Sequence, residues 1–225
     1  MIIEKYGIRL KRIAKDDIEL IREKRNSYAI SSKMVYQKRI TSSEQVNWFE
    51  SVDNFCNFYY LIIFNNEKIG LINDKNVDWV SRTSEAGLFI WETKYLNTIV
   101  PSLASLCLLE MGFEILNWNE TSIEALKSNK EAIVFNRQIG FLQKNDENCD
   151  VISFKLDKTN YNNKARKLIL SMTKLNDDKK LKLFLSKEDF TLGIADQIEK
   201  VICQAERNVK QLFVDNGKAY EYSIL

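Results

Sequence analysis

The stretch FYYLIIFNNEKIGLIND, residues 58–74, constrains the fold more than any other part of the chain. Seven consecutive apolar residues from Phe58 to Phe64, rich in aromatic and β-branched types, read as a buried strand. The polar NNEK then turns the chain into IGLIND, which makes the pair a β-hairpin. Other segments supply further strands for the same sheet. Ile8 to Ile13 (IRLKRI) alternates, SEAGLFIWE and TSIEALK each read as a strand, and GFLQKNDENCDVISFKL reads as strand, turn and strand. Helices fall between them. Asp16 or Asp17 caps one that runs through Asn26, with Ile18 and Ile21 on successive turns. Thr41 and Glu44 form a capping box ahead of Val46, Phe49 and Val52. YLNTIVPSLASLCLLEMGFEIL is a turn leading into an apolar helix, and NKEAIVFNRQ is a short helix.

The resulting order, β-α-α-β-β-β-α-β-α-β-β, predicts an α/β domain with a mixed central sheet flanked by helices over residues 1–157. Residues 158–225 are expected to form a mainly helical C-terminal extension. Its last element is predicted as a long helix from Leu192 to Phe213, striped by Ile194, Ile198, Val201, Ile202, Ala205, Val209 and Leu212. Such a stripe serves core packing, a homodimer face or a substrate lid.

Composition narrows the function classes. A net charge of +2 is too small to argue for nucleic acid or an anionic membrane. No apolar run approaches the length of a membrane span, and MIIEKYGIRLKR lacks the apolar core of a signal peptide. The four cysteines are scattered without a CxxC pair, which predicts a reduced, cytoplasmic protein with structural thiols. The chain has no histidine, so an imidazole base or imidazole metal ligand is excluded, and no metal is expected.

SNKEAIVFNRQIGFL carries Asn129, Ala132, Gly140 and Phe141 at the spacing of a motif of the GCN5-related N-acetyltransferase superfamily. The distance from EAGLFI through the apolar helix to this motif also fits, and residues 6 to 156 resemble that superfamily. REKRNSYAISSKMVYQKRITSSEQVNWFESV is similar to its nucleotide-sugar N-acyltransferases, which modify amino-dideoxy sugars for bacterial surface polysaccharide.

The resemblance implies an acyl-CoA co-substrate held between two splayed strands. Backbone groups of Leu88, Phe89 and Ile90 would pair with the pantetheine arm as a pseudo-strand. The pyrophosphate would rest on the start of the apolar helix, where unpaired N–H groups and the helix dipole favour anions. The superfamily's glycine-rich turn falls on Leu96 to Pro101, where no glycine is present. The N–H groups of Ile99, Val100, Ser102 and Leu103 are expected to remain available, with the Thr98 and Ser102 hydroxyls and nearby Lys94 replacing some lost contacts. Asn129 is a further expected cofactor-binding residue. Asn136 stands where many relatives carry the tyrosine that protonates the thiolate, and Glu85 where some carry a base. Arg25 and Asn26 are expected on the acceptor's diphosphate, with Met34, Tyr36, Gln45 and Trp48 around its base or sugar. The implied reaction is acetyl or longer-acyl transfer, such as 3-hydroxybutanoyl, to a nucleotide-linked amino sugar. Acetylation of a protein or small amine, or a degenerate fold kept as a binding module, are the alternatives.

Overall fold

The computed structural model describes residues 1–144, 150–204, 209–212, 214 and 216–224. Strands β1 (Ile2–Lys5) and β2 (Ile8–Arg12) form a hairpin whose turn residues Tyr6 and Gly7 both have positive φ. Helices α1 (Ile18–Asn26), α2 (Tyr28–Ser31) and α3 (Ser42–Val52) follow, the last opened by the predicted Thr41–Glu44 capping box. The apolar hairpin is β3 (Phe58–Phe64) and β4 (Glu67–Asp78), joined at Asn65 and Asn66, both in the left-handed region that asparagine tolerates. Then come β5 (Thr83–Ile90), α4 (Val100–Glu110), β6 (Glu120–Leu126) and α5 (Lys130–Ile139). After them lie β7 (Leu142–Gln143), β8 (Val151–Asp157), α6 (Lys158–Asn160), α7 (Arg166–Leu175) and β9 (Lys180–Ser186). The chain closes with α8 (Lys187–Thr191), α9 (Ile194–Gln204), β10 (Val209–Leu212) and β11 (Gly217–Ser223).

All these strands lie in one sheet of order β10-β11-β9-β1-β2-β3-β4-β5-β6-β8-β7. Its neighbours pair antiparallel except β5 and β6, which are parallel. The helices divide between its faces because the inward residues of each strand alternate. Tyr60 and Ile62 of β3 join the large core around α4, while Leu61 joins a smaller one with Ile18 and Ile21 of α1 and Phe49 of α3. Helix α4 is apolar on every side for the same reason: all its residues but Ser102 are buried, with the sheet and α7 packed around it. Its one charge, Glu110, is fully buried and meets the equally buried Lys5 Nζ at 2.7 Å.

The segment after Asp157 departs from the expected helical extension. It adds β9, β10 and β11 to the sheet, with β9 pairing directly on β1 (Ile3 opposite Leu183). The reason lies in KLKLFLS, which alternates so that Leu181, Leu183 and Leu185 are buried and Lys180 and Lys182 are exposed. The expected helix to Phe213 is described only to Gln204, and Val209 and Leu212 belong to β10 instead. Ala205, Phe213 and Cys149 lie outside the described residues. Ile194, Ala195, Ile198 and Val201 of α9 are buried in the chain's own core, so the described part of the stripe is core packing. Cys56, Cys107 and Cys203 are free thiols.

Candidate acyl-CoA and acceptor site

One break interrupts the sheet. Between β5 and β6 the pairing runs only through Thr83–Glu120, Ser84–Thr121 and Glu85–Ser122. Beyond that, β5 stays paired to β4 as far as Ile90, and β6 to β8 as far as Leu126, so the two parallel strands part in a V. Strand geometry tells which backbone groups face the gap. The Arg82 carbonyl accepts from Asn119 N–H on the β6 side, whereas the Trp91 N–H donates to Ile69 on the β4 side. Alternation then directs the peptide groups of Ala86, Leu88 and Ile90 into the V and those of Gly87 and Phe89 toward β4. Of the predicted trio, Leu88 and Ile90 face the opening, and Phe89 does not.

Two helices begin at the open end of the V, α4 after β5 and α5 after β6. This is the carboxyl end of parallel strands, where open α/β sheets hold ligands. Of the four N–H groups expected free at α4, Val100 donates to Thr98 Oγ1 (3.2 Å) and Leu103 to the Ile99 carbonyl (3.0 Å). Pro101 has no N–H to offer. Ile99 and Ser102 remain, their N–H groups donating to nothing among the described residues. Lys94 is already engaged, its Nζ 2.6 Å from Glu67. At α5, Asn129 serves as N-cap, its side-chain oxygen accepting from Ala132 N–H at 3.2 Å. Asn136 lies on the buried stripe of that helix with Ile133 and Ile139, and its carbonyl accepts from Gly140 and Phe141.

At the apex of the V, Glu85 is paired with Lys75 on β4 at 2.5 Å and accepts from Asn76 Nδ2 at 3.0 Å. On the other face of β5 sits a polar group that sequence reasoning missed. The Ser84 hydroxyl lies 3.0 Å from Asp74 Oδ1 and 2.9 Å from Thr121 Oγ1, and Trp118 Nε1 approaches Asp74 Oδ2 at 3.5 Å. Asp74 is buried, and burial pushes its carboxyl up to about 6. A polar residue in the apolar run IGLIND was its only signal in the sequence.

The 24–33 segment passes across the mouth of the V. Lys24 Nζ meets Glu92, just past β5, at 3.1 Å, and Lys33 Nζ meets Glu131 on α5 at 2.7 Å. Side chains of α1 pin the connection that follows α2. Arg25 Nη2 donates to the Tyr36 carbonyl (2.7 Å), and Arg22 Nη1 donates to the Ile40 carbonyl (3.1 Å). Asn26 clamps Ile40 through both its amide oxygen and nitrogen, each at 2.8 Å. A cleft of about 560 Å³ lies here, lined by Arg22, Glu23, Ser27, Ser31, Lys38 and Arg39 among others. Met34 and Trp48 flank the smaller core, where Trp48 meets Tyr59 edge-to-face at 5.0 Å. Gln45 is buried there with no hydrogen-bond partner for its Nε2, and Tyr36 is half exposed. Among the described residues no acidic, cysteine or histidine cluster could hold a metal, and no helix is long and apolar enough to cross a membrane.

The fold as a whole superposes on those of solved acetyltransferases. Spermidine N-acetyltransferase from Vibrio cholerae, solved with CoA and spermine, superposes with a TM-score of 0.60 at 17% identity. That match covers 69% of this chain and 98% of the other. A ribosomal L7/L12 α-N-protein acetyltransferase in complex with CoA gives 0.60 at 13% identity over 70% of this chain and 98% of that one. A putative acetyltransferase from T. thermophilus gives 0.59 at 14%, over 76% and 96%. No protein-family model and no curated protein sequence matches the chain.

Proposed function

We propose that this chain is an acyl-CoA-dependent N-acyltransferase whose acceptor is the amine of a nucleotide-linked amino sugar destined for surface polysaccharide. The observation that carries the enzyme class is the V between β5 and β6, whose inward peptide groups suit a pantetheine arm added as a strand. The V. cholerae spermidine enzyme and the ribosomal-protein enzyme, on which this fold superposes, were both solved with CoA, which supports the reading. In this chain Leu88 and Ile90 pair with the pantetheine amides, and the free N–H groups of Ile99 and Ser102 take the pyrophosphate at the positive end of α4. The acceptor amine attacks the thioester carbon, the C–N bond forms as the C–S bond breaks, and the amine proton passes to solvent while the thiolate gains one. Asn136 donates a hydrogen bond and cannot supply that proton. Glu85 is held by Lys75, so catalysis rests chiefly on positioning. The acyl group is acetyl or a longer chain such as 3-hydroxybutanoyl.

The acceptor class is supported by the 25–52 segment and by the cations of the neighbouring cleft, which repel a polyamine and suit a phosphorylated acceptor. The test begins with calorimetric titration of acetyl-CoA and 3-hydroxybutanoyl-CoA. Saturable binding is expected, and no binding of either at millimolar concentration would sink the proposal. Free-thiol release with dTDP- and UDP-linked amino sugars then reads the acceptor.

A further inference from the structure

Sequence resemblance puts the acceptor's diphosphate on Arg25 and Asn26, yet both side chains already hold backbone groups. Arg25 holds the Tyr36 carbonyl, Asn26 spends its oxygen and its nitrogen on Ile40, and Arg22 is committed to Glu19 and to the Ile40 carbonyl. Together these contacts fix the backbone at Tyr36 and at Ile40, on either side of residues 37–39. The short span between is presented to the cleft from two pinned ends, and it carries Lys38 and Arg39. Both are exposed, and neither has an ion-pair or hydrogen-bond partner among the described residues. Glu23 is the one carboxylate on the lining, and the Ser27 and Ser31 hydroxyls lie on the same walls. The volume of about 560 Å³ lies within the range of small-molecule sites and admits a diphosphate with its sugar. Ser27 and Ser31 also belong to the segment whose Lys24 and Lys33 pair with Glu92 and Glu131 at the open end of the V, which ties the cleft to the V through one short stretch of chain.

We infer that this cleft holds the phosphate groups of the acceptor, with Lys38 and Arg39 as the residues that recognise them, and Arg25 and Asn26 as positioning residues that fix the span. The inference rests on the proposed acceptor class and moves its phosphate recognition to residues that no motif marked. A pinned span lowers the ordering cost of binding, and guanidinium beside ammonium matches a diphosphate better than two scattered charges. A second source of phosphate exists in such an enzyme, the 3′-phosphate of CoA, and the experiment separates the two.

The wild type and the Lys38→Ala/Arg39→Ala double variant are titrated calorimetrically with dTDP, UDP, CoA and dephospho-CoA. Both substitutions are on exposed side chains without partners, so the fold is retained. The wild type is expected to bind at least one nucleoside diphosphate with an affinity that falls as salt is raised. Each lost cation weakens it about tenfold, so the double variant binds it roughly 100-fold more weakly. CoA affinity stays within twofold. Unchanged diphosphate affinity in the variant overturns the inference and leaves the acceptor class standing. Weaker binding of CoA but not of dephospho-CoA overturns it by assigning the cleft to the 3′-phosphate. A wild type that binds neither dTDP nor UDP removes the inference and the acceptor class together, while CoA binding still reports on the enzyme class.

Discussion

Asp74 offers a direct test of how the apex of the V is built. Its carboxylate is buried beneath β5, touched by the Ser84 hydroxyl and the Trp118 indole N–H, with no cation within ion-pair distance among the described residues. Burial alone therefore dominates, and it moves the carboxyl from 3.8 to about 6. The folded protein binds this proton more tightly than the unfolded chain does. Stability consequently falls as pH rises from about 4 to 6, and at 1.36 kcal/mol per pH unit the loss reaches ~3 kcal/mol by neutral pH. Asp74→Asn removes that penalty and keeps an oxygen for Ser84. It also turns an amide N–H₂ toward the Trp118 donor, which costs about 1 kcal/mol. The expected net gain at pH 7.5 is about 2 kcal/mol, or roughly 4–8 °C in Tm for a chain of this size. Between pH 5 and pH 7.5 the variant's advantage over wild type should grow by about 1.4 kcal/mol. Thermal unfolding of both proteins, followed by circular dichroism at the two pH values, measures this. An advantage that stays constant or shrinks as pH rises would refute the reasoning, because it would mean that the carboxylate is compensated by charge.

Two further substitutions probe the packing around the site. Lys5→Met strands Glu110, whose carboxyl burial already pushes up to about 7, and should cost about 3–5 kcal/mol in urea unfolding. Adding Glu110→Gln to that variant should recover most of the loss, and no recovery would show that the pair matters through packing alone. At Gly70, a Cβ would lie 2.6 Å from the Phe89 carbonyl oxygen and 2.7 Å from Ile90 Cδ1. Gly70→Ala must therefore push β5 into the V, with about 1–3 kcal/mol lost and weaker CoA binding; unchanged CoA affinity would separate the strand's position from the cofactor site.

Most strands and helices between Ile8 and Asp157 were legible because they are marked locally: the apolar run of β3, the capping box of α3 and the unbroken apolar character of α4. The one-turn α2 carries no such mark and was not expected. What escaped was set by partners distant in sequence. IIEK is too short to announce β1, and it becomes a strand because β2 and β9 flank it. Val209 and Leu212 fit a helical stripe by spacing, yet β11 pairs with both and draws them into the sheet. The site divides along the same line. The parting of β5 from β6 was expected from the resemblance, and the register bears it out. The partners of individual side chains were not legible. Nothing in RN or in QKR tells that Arg25 and Asn26 bond to backbone while Lys38 and Arg39 stay free.

The position of β1 also carries a consequence for synthesis. Ile3 pairs with Leu183, a separation of 180 residues along the chain. At roughly 5–20 residues per second, the ribosome needs about 9–36 s after making β1 before β9 exists to cover its outer edge. During that interval the N-terminal hairpin presents an open row of peptide groups beside Ile3 and Met1, a template for pairing with other nascent chains. The yield of this protein should then depend on how fast it is translated and how crowded its polysomes are, as well as on how stable the finished fold is.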